Sequence, residues 1–284
     1  MERFPLGPYH VSRVGFGAMQ LPGPGVMGPP RDREEALAVL RRAVQAGVNH
    51  IDTAQYYGPY VSNELIHEAL HPYAENLALV SKVGARRDAE GGWLPWDAPD
   101  ELRQGIEDNL RSLQIDRLAA VNLRLMDSPG PDQKFDDQLT AMIQAKADGL
   151  IAGIGLSEVT VEHLEHALKR TDVLCVQNPY NLLERGSQPV LDLCADHGIA
   201  FVPYFPLGSA FRATNPVLDH PEVRAAADRL GRTPAQTVLA WTLTRGANVL
   251  LIPGTSSLAH LEENLAVAEI QLDEESKAAL DALA

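Results

Sequence analysis

The chain has 284 residues, 45% of them hydrophobic, so it can bury the core of one large α/β domain as readily as two small ones. A formal charge of −14 argues against non-specific nucleic-acid binding, which rests on Lys and Arg neutralising phosphates; a small anionic ligand held by backbone dipoles stays open. The opening MERFPLGPYHVSRVGFGAMQ lacks a basic segment followed by an apolar run, and no apolar stretch approaches the roughly 18 residues of a membrane helix, so a soluble, cytoplasmic protein is expected.

Short β-rich runs alternate with longer helical patterns along the chain. A first strand candidate, VGFGAM (14–19), runs into the loop-like GPGVMGPP. The amphipathic DREEALAVLRRAVQAG (32–47) then opens with an acidic turn and stops at Gly47. VNHIDTA (48–54) and LALVSKV (77–83) follow as strands, then a loop-like AEGGWLPWDAP and the helix pattern PDELRQGIEDNLRSLQ (99–114). LAAVNLRLM (118–126), IAGIGLS (151–157), VLCVQNP (173–179), IAFVPYF (199–205) and NVLLIPG (248–254) bring the strands to eight. The helix patterns among them are QLTAMIQAKADG (138–149), TVEHLEHALKR (160–170), VLDLCADHG (190–198) and TPAQTVLAWTLTRG (233–246). Strict alternation implies a parallel sheet buried on both faces. Eight repeats imply closure into a single (β/α)8 TIM-type barrel over residues 1–284, with no linker or composition shift to mark a second domain. The alternative, an open doubly wound sheet, wants a glycine-rich turn leading from the first strand into a helix, which VGFGAMQLPGPGVMG does not do.

In such barrels the chemistry is built where the strands end. The polar residues collected there are Asp52 with Tyr57, Lys82, Arg124, Ser157, Gln177 with Asn178, Tyr204 and the turn IPGTSS. The string NHIDTAQYYGPYVSNE (49–64) has two readings: a strand end turning polar groups to water, or a carboxylate beside a proton-donating tyrosine. Lys82 bears on the choice. Only five of the 24 basic residues are lysines, and this one is flanked by apolar residues on both sides. Either its stem snorkels to the rim, or its buried ammonium faces Asp52 on the neighbouring strand and lies near Tyr57. In the second case the cation is expected to lower the Tyr57 pKa from about 10 toward the working range. Such a tyrosine suits protonation of an oxygen that becomes negative as hydride arrives at its carbon.

DTAQYYG followed by VSKVG resembles the signature of the aldo-keto reductases, NAD(P)H-dependent (β/α)8 enzymes that reduce aldehydes and ketones. The resemblance runs nearly the whole chain, through GFGAMQ, GIGLS, VQNPYN, VPYFPLG and IPGTSSLAHLEENL in order. It implies a catalytic set of Asp52, Tyr57, Lys82 and Arg124, with Tyr57 rather than Tyr56 as general acid. It implies cofactor contacts from Gly17, Ala18 and Met19, with Ser157 and Gln177 on the nicotinamide carboxamide. Tyr204 is expected to stack on the nicotinamide, followed by Pro206, Leu207 and Gly208. After Ile252, the turn Gly254, Thr255, Ser256 starts a helix whose amides can hold phosphate, with Glu263 and Asn264 near the adenine; by spacing alone the turn is equally an N-cap. NADPH is the cofactor the resemblance implies, but that turn is neutral and His260 is its nearest basic residue, so NADH stays open. Substrate contacts are expected from Met19, Tyr56, Trp93 and Phe211, with Trp96 beside them, in an apolar mouth. The two tryptophans equally read as a cap on the following helix.

Three features depart from the pattern, the neutral turn above being one of them. The family usually has a histidine at the position of Arg124, here in VNLRLMD. Arginine stays protonated and cannot relay a proton, so Arg124 is expected to polarise the carbonyl oxygen or anchor an anionic substrate group, unless Asp52 or Asp127 closes it off. Glu158 follows Ser157 where many relatives carry asparagine. None of the nine histidines has HExxH spacing, His163 and His166 fit a surface helix, and no metal is expected. Cys175 and Cys194 read as reduced core residues, with one disulfide as the alternative. The partner is then a small-molecule carbonyl compound. A nucleotide-binding sensor or subunit with little turnover is the competing class, and a barrel isomerase or lyase accounts for the strand count but not for the nicotinamide contacts.

Overall fold

A computed structural model describes residues 2–208 and 214–283. The chain opens with an antiparallel hairpin of β1 (Arg3–Leu6) and β2 (Tyr9–Ser12), which sequence reading missed. Strands and helices then alternate: β3 (Phe16–Gly17), α1 (Arg33–Gln45), β4 (His50–Asp52), α2 (Val61–Leu70) and β5 (Ala78–Arg87). After β6 (Trp93–Trp96) come α3 (Pro99–Leu113), β7 (Ala120–Arg124), α4 (Gln133–Ala147), β8 (Ile154–Ser157), α5 (Val161–Leu168) and β9 (Val173–Gln177). The last part holds α6 (Gln188–Asp196), β10 (Ala200–Phe201), α7 (Pro221–Leu230), α8 (Pro234–Leu243), α9 (Leu258–Ala266) and α10 (Glu274–Asp281).

Seven strands pair in parallel in the order β10-β9-β8-β7-β5-β4-β3. The eighth position is filled by residues 249–251, which bridge both sides: Phe201 pairs with Val249 and Val14 with Leu251. Leu250 N–H donates to the Phe201 carbonyl at 2.9 Å and Leu251 N–H to that of Arg13 at 2.8 Å. The sheet therefore curls shut as the (β/α)8 barrel that eight repeats imply. At this seam a Cβ added to Gly17 would stand 2.5 Å from the Ile252 carbonyl oxygen, and one added to Gly254 would stand 2.5 Å from that of Gly17. Two backbones cross there with no room for a side chain.

The helices bury one face on the barrel wall, with Leu40, Ile106, Leu139, Leu164 and Trp241 all fully buried in one continuous core. Their starts are set locally: the Asp132 carboxylate accepts from Phe135 N–H at 2.8 Å, and Thr233 and Gln236 form a reciprocal capping box on α8. The hairpin closes the far end of the barrel, its Leu6 and Val11 packing with Ala78, Ala120, Cys175 and Leu250.

Two expectations change. AEGGWLPWDAP is not a plain loop, because β6 pairs antiparallel with the overhanging end of β5, Gly84 opposite Trp96 and Arg87 opposite Trp93. Trp93 and Trp96 are therefore strand residues, and Trp96 lies against α3, where a Cβ added to Gly105 would stand 3.5 Å from its ring. His163 is not on a surface: it is fully buried against Phe135, ring centroids 4.9 Å apart, and its Nε2 lies 3.0 Å from Ser128 Oγ. The inner side of α5 faces α4, so only His166 reaches the rim, where it meets Asp136 at 2.7 Å. Cys175 and Cys194 are both free thiols, each pushed up to about 12 by burial. No helix among the described residues is long and apolar enough to cross a membrane.

Candidate active site

Strand alternation and register bring the polar groups to one rim. Asp52 ends β4, Arg124 ends β7 opposite Ser157, and Ser157 ends β8 opposite Gln177. Asp52 and Lys82 are 2% and 6% exposed, so the lysine does not snorkel out; its Nζ donates to Asp52 Oδ1 and, at 3.1 Å, to the Thr53 carbonyl. Gln177 Nε2 donates to the other oxygen of Asp52 at 2.5 Å. The buried charges are thus paired and hydrogen-bonded, as burial requires.

Tyr57 is nearly buried beside this pair, with Lys82 Nζ 5.1 Å from its ring centroid. The tyrosine's pKa is raised overall, not lowered as expected from sequence. Burial and then the Asp52 carboxylate push it well above the ordinary range, and Arg124 is the cation that draws it back. The lysine itself is hydrogen-bonded to Asp52 and lies against the tyrosine ring. Beneath Asp52 on β4, His50 is fully enclosed with no partner for Nδ1 among the described residues, and burial brings its pKa down to about 4.

Arg124 meets neither Asp52 nor Asp127 as its nearest carboxylate. Its Nη2 lies 3.8 Å from Glu158 Oε1, and its guanidinium sits 5.5 Å from the Trp93 ring centroid. Glu158 in turn accepts a hydrogen bond from the Tyr204 hydroxyl. Burial lowers the Arg124 pKa, but the surrounding Tyr56, Glu158, Tyr57 and Tyr204 outweigh it and raise the value overall.

These groups line a cavity of about 770 Å³. Its wall includes Asp52, Tyr57, Lys82 and Arg124 on the floor side, together with Trp93, Met19, Ser157, Gln177 and Tyr204. It continues past Gly17, Pro206, Leu207 and Gly208 to Ile252, Gly254, Thr255, Ser256, His260, Glu263 and Asn264. Two expected residues stand behind the wall. Ala18 is enclosed with its carbonyl accepting from Ser62 Oγ at 3.0 Å, and Tyr56 packs edge-on to both Tyr57 and Trp93 at 5.4 and 5.5 Å. Phe211 lies outside the described residues. Sequence reading missed Gln20, Asn215 and the pocket role of Glu158. Only Glu158 had a signal, an acid at a strand end where an amide is usual.

Several features fit an elongated nucleotide. Gln177 Oε1 is buried without a partner among the described residues, ready to accept from a carboxamide N–H. At the other end, Ser257 does not cap α9 with its side chain; the Thr255 hydroxyl accepts from Ser257 N–H at 3.0 Å, and Glu35 takes the Leu258 amide at 3.4 Å. Ser257 is therefore not a side-chain N-cap, and Gly254, Thr255 and Ser256 line the cavity at this end. Among the described residues no group of three or more His, Cys, Asp or Glu is placed to hold a metal ion.

The sequence profile described as the aldo/keto reductase family matches residues 13–284. A pyridoxine 4-dehydrogenase of Escherichia coli (strain K12) is 48% identical over 283 residues, covering 99% of this chain and 97% of that protein. An oxidoreductase of Schizosaccharomyces pombe is 40% identical, covering 97% and 88%. Among solved structures, an aldo/keto reductase from Klebsiella pneumoniae in complex with NADP and acetate superposes with a TM-score of 0.82 at 28% identity, over 99% of this chain and 95% of that one. The barrel, the Asp52–Lys82 pair beside a buried tyrosine and these matches agree: the chain belongs to the aldo/keto reductase family.

Proposed function

We propose that the chain acts as one barrel domain, residues 1–284, in the cytoplasm, and reduces an aldehyde or ketone reversibly with Tyr57 as general acid. The observation that carries this reading is a cavity lined together by Tyr57, the paired Asp52 and Lys82, and Gln177, whose amide oxygen has no partner among the described residues. NADPH, when bound, supplies hydride to the carbonyl carbon. Ser157 and Gln177 would hold its carboxamide, Tyr204 its ring, and Thr255 and Ser256 its phosphates. Asp52 and Lys82 fix the floor and exclude water from it. Arg124 polarises the carbonyl oxygen, and the Tyr57 hydroxyl donates its proton there as negative charge develops. Met19 and Trp93 give the substrate an apolar wall.

The relative at 48% identity points to aromatic primary alcohols and their aldehydes, of the pyridoxine and pyridoxal kind, as the substrate class. The complexes of the structural relatives favour NADPH. The neutral turn and Glu35 at the start of α9 make NADH the cofactor to compare it with. The test is initial-rate oxidation of each reduced cofactor with pyridoxal and with 4-nitrobenzaldehyde. Turnover with NADPH supports the reading. Tight nucleotide binding with no turnover of either aldehyde overturns it and favours a nucleotide sensor.

A further inference from the structure

The carboxylate of Glu158 lies on the cavity wall beside Arg124, and the proposed reaction does not use it. Three observations define its setting. First, Glu158 is held in the left-handed region at φ 62, which non-glycine residues rarely adopt, with its N–H donating to the Gln177 carbonyl at 3.1 Å. Second, the Tyr204 hydroxyl donates to its Oε1, so the carboxylate cannot swing away without breaking that bond. Third, the same oxygen faces Arg124 Nη2 at 3.8 Å, the two side chains being 32% and 28% exposed. Lys82 and Arg124 are the only lysine or arginine among the cavity-lining residues described, and each already has its own carboxylate, Asp52 and Glu158. Glu263 adds a further acid at the far end.

We infer that Glu158 is a specificity-determining residue: fixed between Tyr204 and Arg124, it matches the arginine's charge and turns anionic carbonyl compounds away, leaving the site selective for neutral ones. The inference rests on the reductase reading for the word carbonyl, not for the exclusion of anions. An incoming carboxylate or phosphate would have to compete with a tethered carboxylate for the guanidinium, or sit beside it as a like charge in a partly desolvated cleft. A neutral aldehyde meets neither obstacle, and Arg124 keeps a guanidinium edge for its oxygen. Anchoring of an anionic substrate by Arg124 is thereby set aside for the native chain and expected only when Glu158 loses its charge.

The experiment compares the native protein with Glu158→Gln, whose amide oxygen can still accept from Tyr204. Binding of benzoate and of neutral benzamide is measured by isothermal titration, with and without NADP+. Benzoate is expected to bind Glu158→Gln about tenfold more tightly than the native protein, with benzamide changed less than twofold. The ratio of kcat/KM for 4-carboxybenzaldehyde over 4-nitrobenzaldehyde is expected to rise by a similar factor. The double variant Glu158→Gln/Arg124→Gln should lose the benzoate gain. Equal benzoate affinities in native and Glu158→Gln proteins of equal Tm would overturn the inference, as would a gain that survives loss of Arg124. If no aldehyde is turned over but the benzoate gain appears, the reductase reading fails and the exclusion of anions stands.

Discussion

The Lys82 ammonium lies over the face of the Tyr57 ring, 5.1 Å from its centroid, and gives its hydrogen bonds to Asp52 and Thr53. Lysine and tyrosine are therefore packed together at the base of the Asp52 pair. Lys82 acts as the buttress of the floor, and the electrostatic tuning of Tyr57 falls to Asp52 and Arg124.

A buttress of this kind has a stability signature. Removing one member of a buried pair leaves an uncompensated charge, which costs about 3–5 kcal/mol. Asp52→Asn and Lys82→Met should each lower the unfolding free energy measured in urea by that order. The double variant should lose clearly less than the sum, because it strands no charge. Additive losses would mean that the two side chains do not depend on each other.

The pH profile follows from the raised Tyr57 pKa. The acid is active while it holds its proton, and a folded pKa above the ordinary value of about 10 keeps it protonated across the neutral range. Reductive kcat/KM should stay level from pH 6 to the alkaline edge of stability, with no loss centred near neutrality. Arg124 is the group that draws this pKa down, so Arg124→Gln should move any alkaline limb further up while lowering the rate. A falling limb near pH 7 that Tyr57→Phe abolishes would contradict this.

His50 predicts acid sensitivity of the fold. Its folded pKa, about 4, lies below the ordinary 6.5, so between those values the unfolded chain takes up a proton that the native chain refuses. Stability is complete above pH 6.5 and is lost as pH falls toward 4, by up to roughly 3 kcal/mol. His50→Asn, which cannot titrate, should lose less between pH 7 and 4.5 than the native protein. The check is the difference between the two denaturation curves at each pH.

Much of the fold was legible because period and punctuation repeat eight times, and the rim residues followed from where each apolar run turned polar. Asp52, Arg124, Ser157 and Gln177 are strand-end residues of that kind, whereas Lys82 lies midway along β5, which runs on past the barrel to Arg87. What stayed hidden depends on contacts between distant segments. The hairpin β1–β2 carries no long alternating pattern, and WLPW holds a proline, which a strand tolerates here because β6 pairs only with the overhanging end of β5. The burial of His163 depends on which side of α5 faces α4. Glu158 escaped because its left-handed backbone, which turns the side chain toward Tyr204 and Arg124, leaves no trace in composition.

The Gly17–Gly254 crossing separates a cofactor role from a structural one. Gly17→Ala should destabilise the barrel by about 1–3 kcal/mol through overpacking of the seam, since the new methyl group meets backbone rather than a movable side chain. Thermal unfolding without nucleotide tests this. An unchanged Tm would mean the seam has slack.

The most direct test of the whole account compares native protein with Tyr57→Phe in NADPH oxidation by 4-nitrobenzaldehyde, with nucleotide affinity measured alongside by titration. The account predicts that kcat falls at least a hundredfold, while NADPH affinity changes less than threefold, because the phenyl ring still packs on Lys82 and only the proton is lost. Equal rates in the two proteins would contradict it and remove Tyr57 from the chemistry.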